Sequence, residues 1–185
     1  MAAPEPFASA QLMEDRSQGA ITTETHPYLE QELAAASRII RDYCRWHVAP
    51  VMPVQHVRRG HGRESVWLRA MQIKSVDSVT VDGTDWDAEL LDRVRVDPDV
   101  GWTNIEGRDV NVTFTAGYDP VPESIVSLTL QVAARALGSP LGFVREQAGG
   151  VAVTHTQIGF NQAGGVLLLP AEESVLDEYR IGRLP

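Results

Sequence analysis

Cysteine is almost missing from this chain: Cys44 stands alone among 185 residues, so no intrachain disulfide can form and a reducing compartment is the natural expectation. Lysine is as scarce. Lys74 is the only one, and the other basic side chains are arginines. No run approaches the roughly 18 to 20 uninterrupted apolar residues of a spanning helix, and Pro4, Glu5 and Pro6 stand where an export signal places its basic and apolar regions. The reading is therefore of a chain neither membrane-spanning nor exported by that route. A dinucleotide G-x-G-x-x-G, a Walker lysine motif, a G-x-S-x-G elbow and internal repeats are all absent. Positive charge is also in deficit. A net charge of -9 and a pI near 5.0 argue against sequence-independent coating of DNA, which draws its affinity from a cationic face that releases phosphate counterions.

What is present is ordinary for a globular protein. Hydrophobic residues at 43% and charged residues at 22% exclude disorder from end to end. The length suits one domain, or a domain with an arm, and such a chain buries roughly 70% of its unfolded surface. Charge is unevenly placed. Residues 27–74 carry eight basic and four acidic side chains, whereas 75–134 carry three and twelve. Opposed regions of this kind suit copies that pair head to flank, or two partners on two faces; an unevenly decorated solvated surface explains them equally well.

Residues 1–26 mix Pro, Ala, Ser, Thr and acidic groups and read as a loosely held lead-in, with a short helix around Ser9 to Arg16. From Pro27 to about His47, Leu29, Leu33, Ala36, Ile40 and Cys44 recur at three and four, as an amphipathic helix requires. Thr25 or His26 suits its cap, and Pro50 and Pro53 stop it. Residues 54–63 read as a loop in which Arg58, Arg59 and Arg63 flank two glycines, Gly60 and Gly62. The period then becomes strand-like: Ser65 to Arg69, Val76 to Val81, Leu90 to Val96 and Val110 to Thr115, with Asp82-Gly83 as a two-residue hairpin turn. Pro122 starts a second amphipathic helix with Ile125, Leu128, Val132 and Ala136 on one side, ending at Gly138. Val151 to Ile158 reads as a strand or extended arm, Val166 to Leu169 as an apolar run, and Pro170 to Tyr179 as a short helix with acids in its first turn.

Chemistry is harder to find. Cys44, His47, His56 and His61 are ligand types that zinc accepts, but their spacing is irregular and Cys44 already belongs to a helix's apolar face. Asp82, Asp85 and Asp87 lack the order of a calcium loop and suit a hairpin turn. Glu172-Glu173 has no basic or nucleophilic neighbour in sequence and reads as helix capping. His26 and His155 stand alone, and Asn111-Val112-Thr113 lies within an expected strand. No catalytic residue, metal ligand or cofactor is expected.

The order of the segments says more than any one of them. AAASRIIRDYC, then SVDSVTVDGTDW, DVNVTFTAGYDPVPESIVSLTLQVAARAL, SPLGFVREQAGGVAVTHT and finally GVLLLPAEESVLDEYR closely resembles the head-to-tail adaptor (head-tail connector, head completion) proteins of long-tailed double-stranded DNA bacteriophages. The resemblance covers about residues 27–180, with its most specific parts at Thr115 to Glu123 and in the late GG…VT…GVLL…PAE…YR series. It implies an α+β fold: a small α-helical bundle with an inserted antiparallel β-sheet and an extended C-terminal arm. The expected layout is a lead-in, 1–26; an adaptor domain, 27–138, with the β insertion at 64–117 and a helix at 120–138; and the arm, 139–185. The resemblance further implies a homo-oligomeric ring, typically a dodecamer, under the portal protein in the virion neck, assembled in the host cytoplasm. Phage DNA passes through it without sequence-specific binding, and a stopper or tail-completion protein seats on it. Arg58, Arg59 and Arg63 are candidate contacts to channel DNA or to an acidic patch of the next subunit. Val166, Leu167, Leu168, Leu169 and Tyr179 are candidates for the portal-docking arm. Competing readings are another neck protein such as a stopper, which would be more purely β, a small zinc-binding module, and an enzyme, for which no nucleophile–base pair is found.

Overall fold

The apolar stripe that starts at Leu29 fixes the first long helix, and the strands follow where β-branched residues replace it. The computed structural model describes residues 4–60, 64–138 and 167–182 in full, together with the backbone of four short strands between 145 and 163. In chain order the elements are α1 (Ala10–Arg16), α2 (Leu29–Cys44), β1 (Met52–Arg58), β2 (Ser65–Trp67), β3 (Ile73–Val81), β4 (Thr84–Asp85), α3 (Ala88–Leu91), β5 (Trp102–Glu106), β6 (Val110–Ala116), α4 (Glu123–Gly138), β7 (Arg145–Ala148), β8 (Val151–Thr154), β9 (Gln157–Gly159), β10 (Gln162–Ala163) and α5 (Pro170–Leu176). A single 3-10 turn, Asp177–Tyr179, follows α5. The fold is α+β, as the resemblance implies, and it divides into two compact units. A helical unit comprises Met1–Tyr43 and Val121–Glu178; a sheet unit, inserted in it, comprises Cys44–Pro120 and Tyr179–Pro185.

In the helical unit, Leu29, Leu33 and Ala36 of α2 pack with Met13 of α1 and with Val126, Leu130, Val132 and Ala133 of α4. Ile40 and Cys44 complete the α2 stripe, fully buried as the spacing predicts. In α4 the expected Ile125, Leu128, Val132 and Ala136 are buried, but so are Val126, Leu130 and Ala133, so this helix is covered on more than one side. The lead-in is held more firmly than its composition suggests. Phe7 is buried, its amide donates to Ser37 Oγ at 2.9 Å, and Arg41 lies 4.0 Å over its ring. Ser9 caps α1, and Arg16 reaches Ser127 and Glu123 at 3.0 and 3.4 Å. α5 carries a buried ion pair: Arg135 of α4 grips both carboxylate oxygens of Glu172 at 2.8 and 3.0 Å and donates to the Leu167 carbonyl at 2.7 Å. Glu172 also accepts from the Leu169 amide at 2.8 Å, the capping role expected for it; Arg135 is the basic neighbour that sequence distance concealed. In the arm, β7 pairs with β8 and β9 with β10, each antiparallel.

The sheet unit holds a four-stranded antiparallel sheet in the order β1-β6-β3-β4, and a two-stranded ribbon, β2-β5. On β6, Val110, Val112, Phe114 and Ala116 alternate inward, with Val54 of β1 opposite Phe114 and Val79 of β3 opposite Val112. Asp82 and Gly83 adopt φ of 50° and 82°, the paired positive angles of the expected hairpin turn. Three expectations are corrected. The segment 54–63 is not all loop: β1 occupies Met52–Arg58, and Pro53 is accommodated because the strand is at an edge. Leu90 to Val96 is not a strand. Asp87 accepts from the Leu90 amide at 2.9 Å and caps α3, and this local bond overrides the β propensity of the residues that follow. The strand β5 lies outside the expected strands, although Trp102–Glu106 alternates exposed and buried side chains.

Candidate interaction site at the sheet edge

β1 pairs only with β6, so its other edge is open among the described residues. Along this edge runs a groove of about 990 Å³, walled by β1 around His56 and Arg58 and, opposite, by Trp67, Arg69 and Trp102. Strand alternation decides what each β1 residue does. His56 and Arg58 lie opposite Val112 and Val110 and turn to the face where those valines are buried, whereas Gln55 and Val57 are exposed. Arg58 is thereby fixed as a cross-link. Its guanidinium donates to the carbonyls of Gly107 at 2.6 Å, Glu64 at 2.8 Å and Ser65 at 3.5 Å, which ties the end of β1 to two other segments. Arg59, the next residue, is exposed. Arg63 lies outside the described residues.

The second wall combines the strand expected at Ser65 to Arg69, of which β2 forms Ser65–Trp67, with β5, which lies outside the expected strands. Trp67 and Trp102 face each other across the β2-β5 pair with ring centroids 6.2 Å apart, and the Arg69 guanidinium lies 6.0 Å from the Trp67 ring. Trp67 Nε1 donates to the Val100 carbonyl at 2.6 Å. Gly101 makes this geometry possible. It takes φ of 86°, and a Cβ there would stand 2.0 Å from the Leu68 carbonyl oxygen. The signal in sequence is Trp67-Leu68-Arg69, two large groups flanking a buried leucine where β2 ends. Burial, and then the positive charges of Arg69 and Arg58, push the His56 imidazole below its ordinary value of 6.5, so it is neutral at neutral pH.

The other candidate residues are spread out. Leu167 is 53% exposed, Leu168 packs against the helical core and Leu169 is the N-cap of α5. Val166 lies outside the described residues. Tyr179 belongs to the sheet unit, where its ring meets Tyr118 edge-on at 5.6 Å and its carbonyl accepts from Trp46 Nε1 at 2.7 Å. The proposed arm residues are therefore divided between two units. Of the four zinc-type residues, Cys44 is fully buried, the Ala116 carbonyl accepts from His47 Nε2 at 2.8 Å, His56 lines the groove, and His61 lies outside the described residues. Among the described residues no three His, Cys, Asp or Glu side chains converge on a cation position, and no helix is long and apolar enough to cross a membrane.

The most specific sequence motif also has a physical basis. Gly117 takes φ of 131°, and a Cβ there would lie 2.5 Å from the Pro50 carbonyl oxygen. The Tyr118 amide then donates to the Val48 carbonyl at 2.8 Å, and its ring packs 6.0 Å from Trp46. Thr115-Ala-Gly-Tyr118 is thus the corner at which the chain leaves β6.

The family model described as head completion protein matches residues 16–134, a span that takes in α2, the whole inserted sheet and most of α4. The chain belongs to the head completion protein family. A search of curated proteins finds no match. Membership makes this a structural component of the phage neck, where head meets tail.

Proposed function

We propose that the protein is a head-to-tail adaptor. Several copies, a dodecamer in the form the resemblance implies, ring the portal vertex, extend the DNA channel below the portal protein and offer a surface to the stopper or tail-completion protein. The observation that carries this reading is the family match over residues 16–134, which runs through both the helical unit and the inserted sheet. The helical unit favours an adaptor over a more purely β stopper. A chain of net charge -9 also suits a channel wall, because a strongly cationic lumen would bind phosphates and retard passage. The role needs no cofactor and no catalytic step.

Portal docking falls in this proposal to the segment around Leu167, whose exposed side chain sits at the base of the α4–α5 clasp. Truncation would be an unsuitable test, since α5 contributes the buried Glu172 and Leu176 to its unit. Leu167→Asp is the better variant: portal binding should be lost while the thermal midpoint stays within a degree or two of wild type, and retained binding would remove this segment from the docking surface. The wider reading is tested by affinity capture of the tagged chain from infected cells with mass spectrometry of the retained proteins. Portal protein, neck proteins and further copies of the chain are expected. Recovery of no virion component would overturn the adaptor role.

A further inference from the structure

We infer that copies of this chain join edge to edge through the inserted sheet, the basic β1 edge of one copy seating the acidic β4–α3 edge of the next. The inference rests on the ring reading above and specifies the contact that makes the ring. β1 and β4 are the two ends of one sheet order, so the two edges face opposite ways across the strands. A contact between unlike edges is heterologous, and a heterologous contact generates a closed ring when its rotation closes.

The two edges are complementary in charge. Arg58, Arg59 and Arg69 gather at the β1 edge against two acids there, Glu64 in the groove and Asp109, which accepts from the Gly60 amide at 2.9 Å. At the other end, Asp82, Asp85, Asp87, Glu89 and Asp92 follow within eleven residues with no basic side chain among them. Some of these acids already have local duties: Asp82 accepts from the amides of Arg108 and Asp109, Asp85 from Thr80, Asp87 caps α3, and Glu89 pairs with Arg93. Their charge nonetheless stays at the surface, since all five are exposed.

The edges also match in apolar content. Val57 and Trp102 are 49% and 41% exposed at the β1 edge, and Leu90 is 40% exposed on α3 at the other. Each edge thus offers exposed apolar side chains beside charge of opposite sign, the two ingredients of a specific protein interface. An open seven-residue edge strand is otherwise a liability for unspecific pairing, and a dedicated neighbour removes it.

The test uses the full chain in two charge-reversed forms, R59E/R69E and E89R/D92R, which leave the Arg58 cross-link and the Asp87 cap intact. Sedimentation velocity at low salt, alone and with purified portal assemblies, should show self-association of wild type and a loss of roughly tenfold or more in each variant. An equimolar mixture of the two should assemble again, because every contact then brings together unlike charges; this rescue also excludes misfolding as the cause. Both variants assembling like wild type would overturn the edge contact and leave the ring reading standing. Wild type remaining monomeric even on the portal would overturn the ring reading itself. Unchanged assembly with lost retention of duplex DNA by R59E/R69E would overturn the edge contact, making the groove a phosphate contact.

Discussion

Arg58 shows how much one residue's neighbours decide. In sequence it belongs to an arginine-rich stretch that reads as exposed; in the fold it reaches three main-chain carbonyls. Arg58→Met should lower stability by about 1–3 kcal/mol in urea unfolding, since it takes the donor from three main-chain carbonyls, two of them in part-buried bonds. Lysine at this position should recover only part of the loss, because an ammonium lacks the planar fork that spans two acceptors. Gly101→Ala should be at least as damaging, for the methyl would meet the Leu68 carbonyl and the positive φ would be strained. His56 gives a pH signature. Its folded-state value lies below 6.5, so as pH falls through the interval beneath 6.5 the unfolded chain takes up the proton first and stability declines. Stability measured between pH 7 and pH 5 should therefore fall more steeply in wild type than in His56→Gln. None of these three roles was legible in sequence, because each depends on a partner brought close by strand pairing.

At the scale of elements, legibility followed the range of the interaction. The stripe Leu29, Leu33, Ala36, Ile40, Cys44 is a local pattern, and α2 buries all five. The Asp82-Gly83 turn is also local and folded as expected. β1 is hidden in the sequence because Pro53 and the adjoining arginines look like loop chemistry, and only the pairing with β6 makes the segment a strand. α3 was missed for the opposite reason: the Asp87 cap, a bond over three residues, outweighed a run of valines and leucines. The clasp between α4 and α5 joins Arg135 to Glu172 with side chains only 12% and 8% exposed. Glu172→Ala should destabilise the protein by about 3 kcal/mol, because it strands a buried guanidinium, and Arg135→Met combined with Glu172→Leu should recover most of that loss in thermal unfolding.

For the whole molecule, the sequence carried the family through the order of its segments rather than through any site. An adaptor has little chemistry to display. Its specificity lies in surfaces, which sequence reports only as uneven charge between residues 27–74 and 75–134. If the edge contact joins the copies, their association should weaken steadily as ionic strength rises from about 0.05 to 0.5 M in sedimentation experiments, since exposed pairs are screened over a Debye length of about 10 Å at 0.1 M. An association indifferent to salt would point to apolar contacts alone.

The clasp also sets the terms on which the chain can vary in size. Residues 139–166 begin where α4 ends and finish at Leu167, whose carbonyl is held by Arg135 of that same helix, so the span leaves and rejoins the fold at one fixed base. Length changes between Gly138 and Leu167 therefore leave this base, and the register of α4 and α5, untouched, so reach toward a partner can evolve there.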